Sequence, residues 1–122
     1  MLKVLLVDDE PFIVQGLSAL IDWEKEGFEI VGTAGNGSEA VEFLKSNPVD
    51  LILADIKMPV MNGLEFLKYI RETHLSEAFF VILSGYGDFT YAKEAIKWQC
   101  TDYILKPIQK SQLLALLSKV KQ

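Results

Sequence analysis

Three carboxylates and one ammonium carry the chemistry open to this sequence. Asp8 and Asp9 follow the apolar run Leu2–Val7, Asp55 closes an apolar run over 49–54, and Lys106 follows Asp102–Leu105. Ser84 stands directly after a fourth run, 79–83. Short runs rich in Leu, Ile and Val read as strands of a buried parallel sheet. Parallel α/β sheets bind ligands just beyond the carboxyl ends of their strands, so these groups converge on one edge. Three neighbouring carboxylates repel, and at least one pKa rises unless a cation is present. A divalent ion relieves that repulsion, and an all-oxygen donor set suits Mg²⁺. No His or Cys cluster suggests zinc. With charge neutralised, Asp55 can attack as a nucleophile and form an aspartyl-phosphate. Asp8 and Asp9 would hold the metal. Lys106 offers a point charge, and Ser84 a hydroxyl, to phosphoryl oxygens. Such a transfer needs neutralisation and in-line placement more than acid–base machinery.

The elements that must position these groups alternate along the chain. After the first run, Pro11 opens a helix whose Ile13, Leu17, Leu20 and Ile21 recur at helical spacing. The stretch 23–27 is its exit. Phe28–Ala34 is a second strand, placed toward the sheet edge because polar residues interrupt it. Asn36 with Glu39, and Asn62 with Glu65, have capping-box spacing. They open helices with inner faces Ala40, Val41, Leu44 and Leu64, Leu67, Ile70 respectively. Asn47-Pro48 ends the first of these. Asp88 is read as the cap of a fourth helix with inner face Ala92, Ala95 and Ile96. A fifth helix carries Leu113, Leu114, Leu116, Leu117 and Val120. Five strands alternating with five helices predict a parallel sheet with helices on both faces.

The bulk properties narrow the class. A chain of 122 residues is one domain by length, and half its residues are hydrophobic, enough for a core. No apolar run approaches the roughly 18 residues of a membrane span, and the start lacks the features of a signal peptide. A single cysteine, Cys100, forbids an internal disulfide and fits a reducing cytoplasm. The net charge is −5, and one Arg is present. Such a domain is poorly suited to neutralise nucleic-acid phosphates by itself. The terminal residues 119–122 still read as helix, as expected of one domain of a longer protein.

Five motifs fall in order at the strand ends: Val7-Asp8-Asp9-Glu10-Pro11, Asp55-Ile56-Lys57-Met58-Pro59, Met61-Asn62-Gly63, Leu83-Ser84-Gly85 and Tyr103-Ile104-Leu105-Lys106-Pro107. With them the whole chain resembles the receiver domain of bacterial two-component response regulators. The resemblance implies a flavodoxin-like doubly wound (βα)5 fold with a five-stranded parallel sheet in the order 2-1-3-4-5. It implies that Asp55 is the phosphoacceptor and that Asp9 and Asp55 bind Mg²⁺ directly, with Asp8 acting through water. The backbone carbonyl of Lys57 would complete the protein's ligands. Lys106 would contact the phosphoryl group, its bond to Pro107 being open to the cis form. Ser84 and Tyr103 match a switch pair. The donor implied is a phosphohistidine on a sensor histidine kinase. Beyond its own phosphorylation and dephosphorylation, the domain is not expected to be an enzyme.

A phosphoryl group brings roughly −1.5 to −2 charges and three acceptor oxygens. It would draw in Ser84 and Lys106 and shift the face made by helix 4, strand 5 and helix 5, which is also the expected homodimer face. The segments 21–28, 84–89 and 102–108 are similar to receivers that precede an AraC-type DNA-binding output domain, which lies outside this chain. Three other functions share parts of the pattern. An aspartyl-phosphate phosphatase would want an acid at Lys57, and a flavin module would want a hydroxyl- and glycine-rich loop where Asp8-Asp9-Glu10-Pro11 stands. A phosphorylation-independent pseudo-receiver would differ only in use.

Overall fold

In the computed structural model, residues 1–85 and 91–122 are described; the expected cap Asp88 lies outside them. The order is β1 (Leu2–Val7), α1 (Pro11–Leu20), β2 (Phe28–Ala34), α2 (Gly37–Ser46), β3 (Leu51–Asp55), α3 (Gly63–Glu72), β4 (Phe79–Ser84), α4 (Ala92–Lys97), β5 (Asp102–Leu105) and α5 (Lys110–Lys121). The strands form one parallel sheet in the order β2-β1-β3-β4-β5. Every residue of β3 is buried, as its unbroken apolar sequence demands at the centre of a sheet covered on both sides. The interrupted strand β2 lies at the edge.

Strand alternation divides the core in two. Leu5, Val7, Ile52, Ala54, Phe80 and Ile82 pack with α2, α3 and Ala95 of α4. Val4, Leu6, Leu51, Leu53, Val81 and Leu83 pack with Leu17 of α1 and the apolar face of α5. The register sets Val7 opposite Ala54, Asp55 opposite Leu83, and Ser84 opposite Leu105. The carboxyl ends therefore finish level, and the residues just beyond them share one edge.

Local chemistry fixes the helix starts. Asn62 accepts the Glu65 amide at 2.8 Å while Glu65 accepts the Asn62 amide at 2.9 Å, a reciprocal box. At α2 the reciprocity is displaced by one residue: Asn36 accepts from Glu39, but the Glu39 carboxylate takes the Gly35 amide. The buried Trp23 secures the exit of α1, its indole N–H donating to the Leu17 carbonyl at 3.0 Å.

Two helix faces differ from expectation. Ile96, expected inward, is 74% exposed, and Ala95 carries the burial of α4. On α3 the buried stripe is Gly63, Phe66, Leu67 and Ile70, with Leu64 only partly covered. The stripe turns because Phe66 packs on Phe80, with ring centroids 5.4 Å apart. An aromatic pair of that geometry outweighs one leucine.

Candidate functional site

Asp8 and Asp55 are nearly buried at the ends of β1 and β3, and Asp9 beside them is exposed. One oxygen from each of the three carboxylates can be chosen so that all lie within 4.8 Å of one another. The Lys106 ammonium sits between two of them, 3.0 Å from Asp8 Oδ2 and 3.1 Å from Asp55 Oδ1. The Lys106 amide donates to the Ser84 carbonyl at 2.7 Å, which fixes its backbone at the end of β4, and its bond to Pro107 is cis. The other oxygen of Asp8, Oδ1, accepts the Glu10 amide at 2.9 Å.

The charges are tuned by burial and by each other. Burial raises the Asp55 carboxyl above its ordinary value, Lys106 opposes that rise, and Asp8 adds to it. Burial pulls the Lys106 ammonium down, but the hydrogen bonds and charges of Asp8 and Asp55 outweigh it and leave the group raised. A single ammonium thus serves two carboxylates with a third close by, an arrangement still short of positive charge.

The site is sealed underneath by α3. Gly63 donates its amide to the Ile56 carbonyl at 2.9 Å. A Cβ on Gly63 would lie on the Asp55 carbonyl oxygen and within 3.0 Å of the Ile56 Cα, so only glycine allows this approach. In the same loop Val60 has φ +69° and a side chain open to solvent. The Met61 amide donates across it to the Pro59 carbonyl at 2.8 Å.

The structure gathers Asp8, Asp9, Asp55 and Lys106. Ser84 is fully buried at the end of the next strand, and its hydroxyl has no hydrogen-bond partner among the described residues. Lys57 is exposed and lines a groove of about 420 Å³ with Asp9, Met58, Asn62 and Tyr91. Tyr103 stands apart, on the edge strand opposite Ile82. It is half-buried beside a smaller cavity of about 240 Å³ that also touches Ala95, Ile96 and Cys100. Cys100 is itself partly buried, its thiol donating to the Asp102 carbonyl at 2.8 Å, and burial raises its pKa.

Two features were not read from the sequence. An apolar cavity of about 460 Å³ lies between α1 and the Pro107-Ile108 turn, rimmed by Phe12. Phe12 is 82% exposed; a large apolar residue off the buried stripe of α1 was the available signal. The Arg71 side chain makes four hydrogen bonds to backbone carbonyls, and carbonyl partners leave no trace in a sequence.

The donor set fits a hard divalent cation. Its side-chain donors among the described residues are carboxylate oxygens, one of the three residues being exposed, in a pocket where burial and like charge already disfavour the ionised form of Asp55. No helix among the described residues is long and apolar enough to cross a membrane.

Residues 4–118 match the family model described as the response regulator receiver domain. Over 120 residues the chain is 40% identical to the uncharacterized transcriptional regulatory protein YesN of Bacillus subtilis, covering 98% of this chain and 32% of that protein. It is 37% identical to the transcriptional regulatory protein HptR of Staphylococcus aureus strain N315, covering 98% of this chain and 46% of that protein. The chain thus spans from just under a third to just under a half of these relatives. Among solved structures, the REC domain of AraT, a response regulator from Geobacillus stearothermophilus, superposes with a TM-score of 0.89 at 40% identity, covering 98% of this chain and 92% of that one. A two component transcriptional regulator AraC from Clostridium phytofermentans gives 0.88 at 33% identity, covering 100% and 94%.

Proposed function

Because the chain belongs to the response regulator receiver domain family, we propose that it is the phosphorylation-dependent switch of a two-component transcriptional regulator. Asp55 accepts a phosphoryl group from a phosphohistidine on a sensor histidine kinase. Asp8, Asp9, Asp55 and the Lys57 backbone carbonyl would hold Mg²⁺. When bound, the ion neutralises charge on the phosphoryl oxygens. The observation that carries this reading is the Asp55 carboxylate, set at a strand end among two further carboxylates and 3.1 Å from the Lys106 ammonium.

The remaining steps belong to the chain's own side chains. Asp55 attacks phosphorus and the bond to the donor nitrogen breaks, leaving an acyl phosphate on Asp55. Lys106 exchanges its contact with Asp55 for one with a phosphoryl oxygen. The Ser84 hydroxyl, buried without a partner among the described residues, gains an acceptor. A buried polar group left unsatisfied costs about 1–3 kcal/mol, and hydrogen bonds to charged groups contribute about 1.5–3 kcal/mol each. Two or three such changes reach the roughly 5.5 kcal/mol that reverses a 1:99 equilibrium. Ser84 lies opposite Leu105 and leads toward α4, and Tyr103 follows by turning inward. The α4–β5–α5 face is thereby altered.

That face exposes Ile96 at 74% and Leu105 at 41%, which supports its use in a homodimer. In the full-length protein the domain controls a DNA-binding output of the AraC type. Incubation with acetyl phosphate and Mg²⁺ tests the reading by intact mass. The wild type gains one phosphoryl group and Asp55→Asn gains none. Equal labelling of both, or of neither, refutes it.

A further inference from the structure

Helix α4 is short and buries a single described residue, Ala95. Its carboxyl end is nonetheless held firmly. From the last turn of α3, Arg71 donates Nε to the Trp98 carbonyl at 3.3 Å and Nη2 to the Gln99 carbonyl at 3.2 Å. The same guanidinium donates Nη1 to the Ser76 carbonyl and Nη2 to the Ala78 carbonyl, each at 2.9 Å. One planar fork therefore ties the α3–β4 turn to the α4–β5 turn. Such charge-assisted bonds are about twice as strong as neutral ones, and a lysine cannot reproduce the fork.

The neighbouring contacts reinforce this end. The last carbonyls of a helix lack partners within it, and a cation there also complements the helix dipole. The amides of Trp98, Gln99 and Cys100 close the final turn onto Glu94, Ile96 and Ala95. The ammonium groups of Lys68 and Lys97 both lie over the Trp98 ring, 5.8 and 5.6 Å from its centroid. At the amino end, the capping residue Tyr91 makes no side-chain cap bond. The strand feeding that end finishes in Ser84, whose hydroxyl has no partner among the described residues.

We propose that Arg71 joins the α3–β4 and α4–β5 turns into one rigid clasp, so that α4 swings from its amino end about a fixed carboxyl end when the Asp55 site is loaded. The swing rests on the phosphoacceptor reading above; the clasp does not.

Amide hydrogen exchange on the unloaded protein tests the clasp. Arg71→Met speeds exchange at Trp98, Gln99 and Cys100 by about tenfold or more, and Arg71→Lys does the same. The amides of Leu67 and Ile70 keep wild-type rates. Unchanged rates at 98–100 in both variants overturn the proposal. The swing is read by fluorine NMR of 5-fluorotryptophan-labelled protein, which needs no substitution in the wild type. On adding Mg²⁺ and beryllofluoride, a stable acyl-phosphate mimic, a bound beryllofluoride signal appears and the Trp98 resonance stays in place. In Arg71→Lys the Trp98 resonance moves. A Trp98 shift in the wild type as large as that in the variant overturns the fixed pivot. No bound beryllofluoride signal would instead count against the phosphoacceptor reading, leaving exchange to decide the clasp.

Discussion

Gly63→Ala isolates the packing that supports Asp55. The added methyl would overlap the Asp55 carbonyl oxygen and crowd the Asp55 carbonyl carbon at 3.1 Å and the Ile56 Cα at 3.0 Å. All three are backbone atoms, so no side chain can turn aside, and α3 must move off the end of β3. Overpacking of this kind costs about 1–3 kcal/mol. The Gly63 amide also loses its 2.9 Å bond to Ile56, which removes about 1 kcal/mol more. The lower entropy of the unfolded alanine chain returns roughly 0.4–1 kcal/mol. The net loss is about 1–3.5 kcal/mol, a fall in Tm of roughly 3–18 °C for a domain of this size. Gly16→Ala is the control: nothing lies within 4 Å of its Cβ, and helix propensity raises stability by about 0.5–1 kcal/mol. Thermal unfolding followed by circular dichroism measures both. A Gly63→Ala protein that melts with the wild type would refute the close approach of α3 to Asp55.

Further outcomes follow from the same site. Asp55 has a raised folded pKa, so its stability contribution is full below the unfolded value and is lost as pH rises through the folded value. Without metal, Asp55→Asn is therefore more stable than the wild type at neutral pH. That advantage closes below roughly pH 4; urea midpoints across the range check it, and a constant difference contradicts it. Free Mg²⁺ at about ten times its Kd stabilises the wild type by about 1.4 kcal/mol at neutral pH. Asp9→Asn combined with Asp55→Asn abolishes that gain, as thermal shifts with and without EDTA will read. Val60 holds φ +69° with an exposed side chain, a conformation that strains a β-branched residue. Val60→Gly raises stability by up to about 1 kcal/mol, and a loss in denaturant titration would show that Val60 bears no strain.

The fold was legible because its signals are local. Each apolar run is bounded by a polar tip, Asn62 and Glu65 stand at capping distance, and the interruptions in β2 mark an edge. The gathering of Asp8, Asp9, Asp55 and Lys106 follows from that order, since a parallel sheet brings every carboxyl end to one side. What escaped the sequence depends on tertiary contact. Phe66 won a core place from Leu64 through Phe80, which lies on another element. Ile96 was read inward by spacing, yet α4 is so short and so placed that Ala95 alone is buried. Lys106 was read as a charge for a phosphoryl oxygen, and its second role as the bridge between Asp8 and Asp55 required distances. Nothing in the sequence singled out Arg71, because its four partners are main-chain carbonyls.

Reductive trapping tests the central claim most directly. Borohydride converts an aspartyl acyl phosphate to homoserine, and peptide mass spectrometry then locates the modified residue. After acetyl phosphate and Mg²⁺, homoserine is expected at position 55 and at no other aspartate. Homoserine at Asp8 or Asp9, or an unmodified Asp55 in protein whose intact mass shows a phosphoryl group, would contradict the account.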